Sequence, residues 1–305
     1  MLALVLYVDC GVVTDRRLRD MEFPVPVTSV SANRCRNLFA RMLLLLGLLS
    51  TPALAQDMRV YTSVSNVSQA DAPRTISHSL TLFHAGKVYD YMKETGEVVI
   101  FEPVHHRFVI LNKDFIATEV PFAELNHFLE SARTESMTYI NNLNPNENVN
   151  AARLAALVRF QLSPVFQEQE IKETRSLELS SEHLNYSVKI AKIESPQYVR
   201  QYLDYADWAA RLNFALRPNS TFPEARLKLN ESLRRLEVLP TQVDLQLQKA
   251  DPVRLRAEHQ FAWEFLAVDR SHISQWERAL HSDRVRWIPF QQYQQDQQSL
   301  AQQAR

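Results

Sequence analysis

The stretch LPTQVDLQLQKADPVRLRAEHQFAWEFLA, residues 239–267, decides the fold. Leu239, Thr241, Val243, Leu245 and Leu247 alternate with Pro240, Gln242, Asp244, Gln246 and Gln248. A turn at Ala250 to Pro252 follows. Val253, Leu255, Ala257, His259, Phe261, Trp263, Phe265 and Ala267 then alternate with a second set dominated by Arg254, Arg256, Glu258, Gln260 and Glu264. Successive side chains of a strand point to opposite faces, so this pattern predicts a long antiparallel hairpin, dry on one face and largely wet on the other. Each large apolar side chain on the dry face gains about 1.5–3 kcal/mol on burial. Such a face demands a cover, and helices must supply it.

Upstream, ISHSLTLFHAGKVYDYMKETGEVVIFEPVHHRFVILNKDFIATEV (76–120) has turn signals at Ala85-Gly86, Thr95-Gly96, Pro103 to His106 and Asn112 to Asp114. Aromatic and β-branched runs lie between them, which predicts six antiparallel strands over about residues 58–120. After Pro121 the period changes to that of a helix, with Leu125, Phe128, Leu129, Ala132, Tyr139 and Ile140 on one stripe. A polar loop at 141–150 separates it from a second helix that stops before Pro164. Two strands are expected near 176–183 and 185–193. Ser195-Pro196 is a strong helix start. The stripe Val199, Tyr202, Leu203, Ala206 and Ala210 runs on to Arg217, and another helix covers about 223–236. A last helix is expected to begin near Ser271, with Ile273, Trp276 and Leu280 inward. It dissolves into the glutamine-rich tail QQYQQDQQSLAQQAR (291–305), which reads as a frayed polar helix or disorder. The expectation is one α+β domain over 56–290: a large, curved, one-sided antiparallel sheet of about ten strands, half-barrel-like and covered by helices.

The N-terminus fixes where such a domain works. MLLLLGLLSTPALAQ (42–56) has an apolar part, Met42 to Leu49, far shorter than the roughly 20 residues a bilayer helix needs. Arg34, Arg36 and Arg41 precede it, Pro52 breaks it, and Ala53 and Ala55 stand at −3 and −1 of a cleavage point before Gln56. That is the layout of a secretory signal. Residues 1–41 then read as a mis-assigned or unstructured extension. The destination is the periplasm, cell envelope or exterior, with no stable membrane span after cleavage.

Six of the 34 basic and four of the 35 acidic residues precede Gln56, so the remaining chain has a net charge of −3 and no basic run. Nucleic acid is an improbable partner for it. Both cysteines, Cys10 and Cys35, precede the cut, which excludes disulfides, thiolate metal sites and cysteine nucleophiles after it. Only Gly86 and Gly96 follow it. Phosphate-cradling loops and nucleophile elbows need more glycine than that, and nucleotide enzymes and ordinary serine esterases are disfavoured.

Within TLFHAGKVYDYMKETGEVVIFEPVHHRFVILN (81–112), the residues Glu102, Pro103, Arg107, Phe108, Leu111 and Asn112 resemble the strand meander of the outer-membrane lipoprotein carrier fold, the LolA/LolB-like half-barrel. The resemblance covers about 60 residues. It implies a curved sheet wrapped over helices, with an apolar hollow able to take an acyl chain. The helix pairs at 122–170 and 195–236 depart from that family.

His259, on the apolar face between Ala257 and Phe261, is either a buried histidine with satisfied nitrogens or a ligand-facing one. Phe261, Trp263 and Tyr202 are the other ligand-facing candidates, and Tyr198, Tyr205 and Trp208 complete an aromatic set on one helix. His105-His106 beside Glu102 reads as turn decoration, because adjacent strand residues point apart. In DRSH (269–272), Asp269 or Ser271 reads as a helix cap. No metal site, cofactor or catalytic residue is assigned. The composite reading is a non-enzymatic binding or carrier module for a hydrophobic small molecule or an envelope protein. The alternatives are an exported hydrolase using Asp204, Asp207 or Glu264, and a structural component of a surface assembly.

Overall fold

The alternating tract folds as the hairpin of β10 (Val238–Leu247) and β11 (Val253–Ala262), paired antiparallel from Gln242↔Glu258 to Leu247↔Val253. Val243, Leu245, Leu247, Leu255 and Ala257 are buried, as the alternation requires. Pro240 removes a backbone donor, and β10 accommodates it beside a register shift between Pro240 and Gln242 against its neighbour. The hairpin ends earlier than the pattern predicts. Trp263 to Leu266 leave the ladder, and the next helix already begins at Ala267. Trp263 is consequently exposed, a correction to its expected place on the buried strand face.

The computed structural model describes residues 57–69, 73–143, 149–217, 220–248 and 253–303. The extension 1–41, the signal segment 42–55 and the cleavage residues Ala53, Ala55 and Gln56 lie outside them.

The six expected N-terminal strands are β1 (Met58–Asn66), β2 (Arg74–His84), β3 (Lys87–Met92), β4 (Glu97–Glu102), β5 (Arg107–Leu111) and β6 (Ile116–Pro121). Gly86 and Gly96 take positive φ in the β2–β3 and β3–β4 turns. Two further strands are β8 (Ser176–Ser180) and β9 (Leu184–Lys192). Among the described residues the sheet has twelve strands, not ten. The additions are β7 (Gln167–Ile171), an exposed edge strand with no apolar alternation to reveal it, and β12 (Arg286–Trp287). Strand order is β12-β6-β5-β4-β3-β2-β1-β11-β10-β9-β8-β7, antiparallel except for β12 beside β6. β1 joins the two meanders by pairing β2 on one side and β11 on the other. The sheet is curved and does not close.

On its inner face lie α1 (Phe122–Asn141), α3 (Pro196–Leu216) and α4 (Glu224–Leu236), while α2 (Val149–Leu162) packs against α1. The central one is α3. Twelve of its 21 residues are buried, among them Tyr202, Leu203, Tyr205 and Ala206. The last two helices are α5 (Ala267–Leu280) and α6 (Phe290–Gln303). α5 takes the other side: Ile273 and Trp276 cover Leu82, Tyr89, Val98, Ile100, Val109 and Leu111. All of Glu97 to Glu102 is therefore buried, with one set of side chains under α3 and the other under α5. The one-sided description holds away from that patch. Beyond α5 the chain returns, and α6 buries Phe290 and Tyr293 in the inner core. The tail read as starting at 291 is, through Gln303, a helix anchored in the fold.

No helix among the described residues is long and apolar enough to cross a membrane.

Candidate functional site

Cross-strand register assembles the site. Thr62↔His259 and Val60↔Phe261 are paired positions of β1 and β11, so His259 and Phe261 share the inner face with Thr62. α3 lies over this middle part of the sheet and lowers Tyr202 onto it. The ring centroids of Tyr202 and Phe261 are 5.3 Å apart, and those of Tyr202 and His259 6.2 Å. Phe261 stacks at 6.2 Å on Trp263, which in turn meets Tyr198 of α3 at 4.4 Å. The four residues singled out by sequence thus come together, with Tyr198 as a fifth. They form a ladder of rings graded from Tyr202 (1% exposed) and His259 (5%) through half-buried Phe261 to Trp263 (40%). Leu266 and Val268, just beyond Trp263, are exposed as well.

The inner end of the ladder is polar. The Thr62 hydroxyl meets His259 Nδ1 at 2.9 Å. Burial, reinforced by the Arg226 charge, holds the His259 pKa well below the usual imidazole value, so the ring is neutral at neutral pH. A hydroxyl donating to Nδ1 places the ring hydrogen on Nε2, and Nε2 has no protein partner. Tyr202 Oη and Arg226 Nη2 complete no well-formed hydrogen bond either, although the guanidinium lies close enough to the Tyr202 hydroxyl to lower its pKa as a donor does. Arg226 comes from α4, is itself buried, and bonds through Nε to Asn230 Oδ1 at 3.1 Å. Its charge reaches the hydroxyls of Tyr202 and Tyr186. Burial pushes both up to about 12, and Arg226 opposes that shift. No carboxylate of the described residues lies within ion-pair distance of Arg226. The nearest acid in the chain of contacts is Asp207, held to Asn230 Nδ2 at 2.7 Å.

A second buried polar group sits one row along. Asp90 of β3 accepts from Thr81 (2.8 Å) and from Tyr205 (2.8 Å). These interactions tie α3 to the sheet, and Tyr205 is pushed far up by burial and by Asp90. Sequence reading did not find Arg226 or Asp90. Arg226 stands in EARLK (224–228) and Asp90 in YDY (89–91), with nothing to mark either as facing inward.

The remaining candidates lie outside the ladder. Asp204 and Asp207 share Arg234 at 3.2 and 2.9 Å, and Asp204 is exposed. Glu264 is exposed in the segment after β11. Asp204 and Asp207 are thus drawn together on one guanidinium, while Glu264 lies on a different segment. His105 meets Glu102 at 3.3 Å, while His106 adopts a left-handed turn conformation. Among the described residues no cluster of three metal-ligating side chains occurs. Asp269 accepts the Leu266 N–H at 2.8 Å and pairs with Arg59, so it is a buried helix cap.

Where the carrier resemblance implies a hollow, α3 packs on the inner face of the sheet. Two cavities among the described residues lie elsewhere. One is an open cleft of about 390 Å³ between Glu119, Glu124, Trp287 and Phe290, and the other a void of about 30 Å³ beside Phe160 and His183.

Comparison with known protein families and with characterised proteins yields no match for this chain.

Proposed function

We propose that this chain is an exported, non-enzymatic cell-envelope protein that binds a hydrophobic ligand along the ladder of Tyr202, Phe261, Trp263 and Tyr198, as a carrier with the LolA/LolB-like half-barrel fold would. The support is the gradient of the ladder. An exposed indole leads through rings of falling exposure to an interior end with unpartnered polar atoms, an arrangement that packing alone does not require. The arginine-flanked apolar segment ending at Ala55 supports the exported location.

The test is native mass spectrometry of the chain purified from its own envelope, followed by titration with dodecanol and dodecanoate. Bound lipid-like mass, or saturable uptake that Trp263→Ala weakens without lowering the melting temperature, is expected. A ligand-free mass with no uptake of either probe overturns the reading. Peptide mapping of the exported protein should find its N-terminus at Gln56, and recovery of peptides from residues 1–30 would refute export by this leader.

A second reading, capture of a partner protein, is favoured by the exposed run Trp263, Leu266 and Val268. It predicts that Leu266→Ser abolishes partner pull-down and leaves dodecanol uptake intact.

A further inference from the structure

The inner end of the ladder has a chemical preference that a purely apolar site would lack. Arg226 is a guanidinium 6% exposed, with no carboxylate of the described residues beside it and with Nη2 lacking a protein partner. A buried charge of this kind is costly unless an anion meets it. Two further unpartnered atoms face the same junction of α3, α4 and β11. Tyr202 Oη carries a donor hydrogen, its pKa being far above neutral. His259 Nε2 carries one when Thr62 donates to Nδ1. All three side chains are more than nine-tenths buried. A guanidinium N–H, a phenol O–H and an imidazole N–H together offer three donors against one acceptor, the phenol oxygen, which suits a carboxylate, and the Asp90 charge felt at Tyr202 is the opposing influence.

Resting on the ladder reading above, we propose that the ligand is a carboxylate-headed amphiphile. Its head sits among Arg226, Tyr202 and His259, and its chain lies along Phe261 and Trp263 toward the surface. Binding parts Tyr202 from Phe261, whose ring centroids are 5.3 Å apart, by roughly the thickness of an alkyl chain. The head replaces the missing counter-ion, so the bound anion and α4 stabilise each other. Asn230 and Asp207 hold Arg226 from behind, leaving Nη2 free to turn to the head.

The test compares dodecanoate with dodecanol, below their aggregation limits, on the full chain and on Tyr202→Phe, Arg226→Gln and Trp263→Ala. Titrations are read by ¹H–¹⁵N spectra of the four tryptophan indoles and by calorimetry. Dodecanoate should bind at least about tenfold more tightly than dodecanol, the increment expected of charge-assisted hydrogen bonds in a desolvated site. Tyr202→Phe, which removes one hydroxyl and no volume, should take away about three- to tenfold of that preference and leave dodecanol binding unchanged. Arg226→Gln should bring the two probes to parity. If it does not fold, Tyr202→Phe alone decides. Equal affinity for acid and alcohol, both weakened by Trp263→Ala, overturns the carboxylate head while the ladder stands. An acid preference untouched by Tyr202→Phe overturns it too. Uptake of neither probe sinks the ladder and the head together.

Discussion

Deleting the hydroxyl of Tyr293 tests whether the glutamine-rich C-terminal helix belongs to the fold. Tyr293 is 2% exposed, and its hydroxyl donates to Glu97 Oε2 on β4. Burial raises the Glu97 pKa; the Tyr293 hydroxyl and the nearby Arg217 charge oppose the rise, and Asp90 adds to it. Tyr293→Phe removes one charge-assisted hydrogen bond, worth about 1.5–3 kcal/mol. Tyr293→Ala removes in addition a buried ring, about 3–5 kcal/mol for an aromatic cut to alanine. That is a large share of a total stability of roughly 5–15 kcal/mol. In a Glu97→Gln background the Phe substitution should cost only about 1 kcal/mol, because the bond it breaks is then neutral.

The pH dependence of this penalty has a definite sign. A carboxyl whose pKa is raised by folding binds its proton more tightly in the native state, so its contribution falls as pH rises from the unfolded value through the folded one. Without the hydroxyl the folded value rises further. The Tyr293→Phe penalty should therefore be smallest in acid and grow with pH between the native Glu97 pKa and that of the variant. Urea unfolding followed by circular dichroism at several pH values measures all of this, provided the m-value is unchanged. Penalties below about 0.5 kcal/mol for both Phe and Ala, the size of a neutral surface change, would show that α6 is not docked and that a frayed tail is the better description.

Three other predictions follow from particular contacts. Glu102 is held down to about 2 against burial by Lys87 and Arg107, so it should contribute stability above pH 4.5 that is lost as pH falls toward 2; Glu102→Gln should flatten that slope by about 2 kcal/mol after allowance for the screening of its partly exposed partners. Asp269→Ala should cost about 1–2 kcal/mol through loss of the helix cap, and it should speed hydrogen exchange of the Leu266 amide and the first turn of α5 more than that of β11. Tyr205→Phe should cost about 1.5–3 kcal/mol by removing a bond to the buried Asp90 carboxylate, and a value near zero would mean that Asp90 does not hold α3 to the sheet.

The sheet was legible because its strands obey a period of two, yet that period identifies two faces without saying which is inner. β2 shows the consequence. Leu80 and Leu82 look like a core stripe, but the inner face carries Ser77, Ser79, Thr81 and Phe83, and Leu82 is buried on the opposite side under α5. Small polar side chains sit beneath α3, where Tyr205 reaches past them to Asp90. The apolar stripe is explained only by a helix that arrives 190 residues later in the chain. β7 escaped for a different reason. Gln167, Glu168, Gln169 and Glu170 are all exposed, so neither face offers a hydrophobic signal, and Leu177 and Leu179 of the neighbouring strand alone report that a sheet is there. In α6, the pair Phe290 and Tyr293 at helical spacing was the available signal, diluted by eight glutamines in 14 residues.

The site divides along the same physical line. Rings announce themselves: His259, Phe261 and Trp263 alternate on one strand, Tyr202 lies on the inward stripe of a helix, and the antiparallel register of β1 and β11 brings them together. Charges do not, because a lone arginine on an amphipathic helix reads as solvated. Arg226 lies one helical turn before Asn230, which in turn contacts Asp207 on α3; this amide bridge draws the guanidinium inward and keeps the acid one contact away. Were Asn230 an aspartate, Arg226 would have its counter-ion and no reason to receive another. Asn230→Asp is therefore the sharpest separation of packing from binding. It should cost stability, because the new carboxylate meets Asp207 where Asn230 Nδ2 donates at 2.7 Å, and in the folded protein it should abolish the preference of the ladder for an acid over an alcohol while sparing the alcohol. A variant that keeps the full acid preference would mean that Arg226 is only a strut between α4 and the sheet.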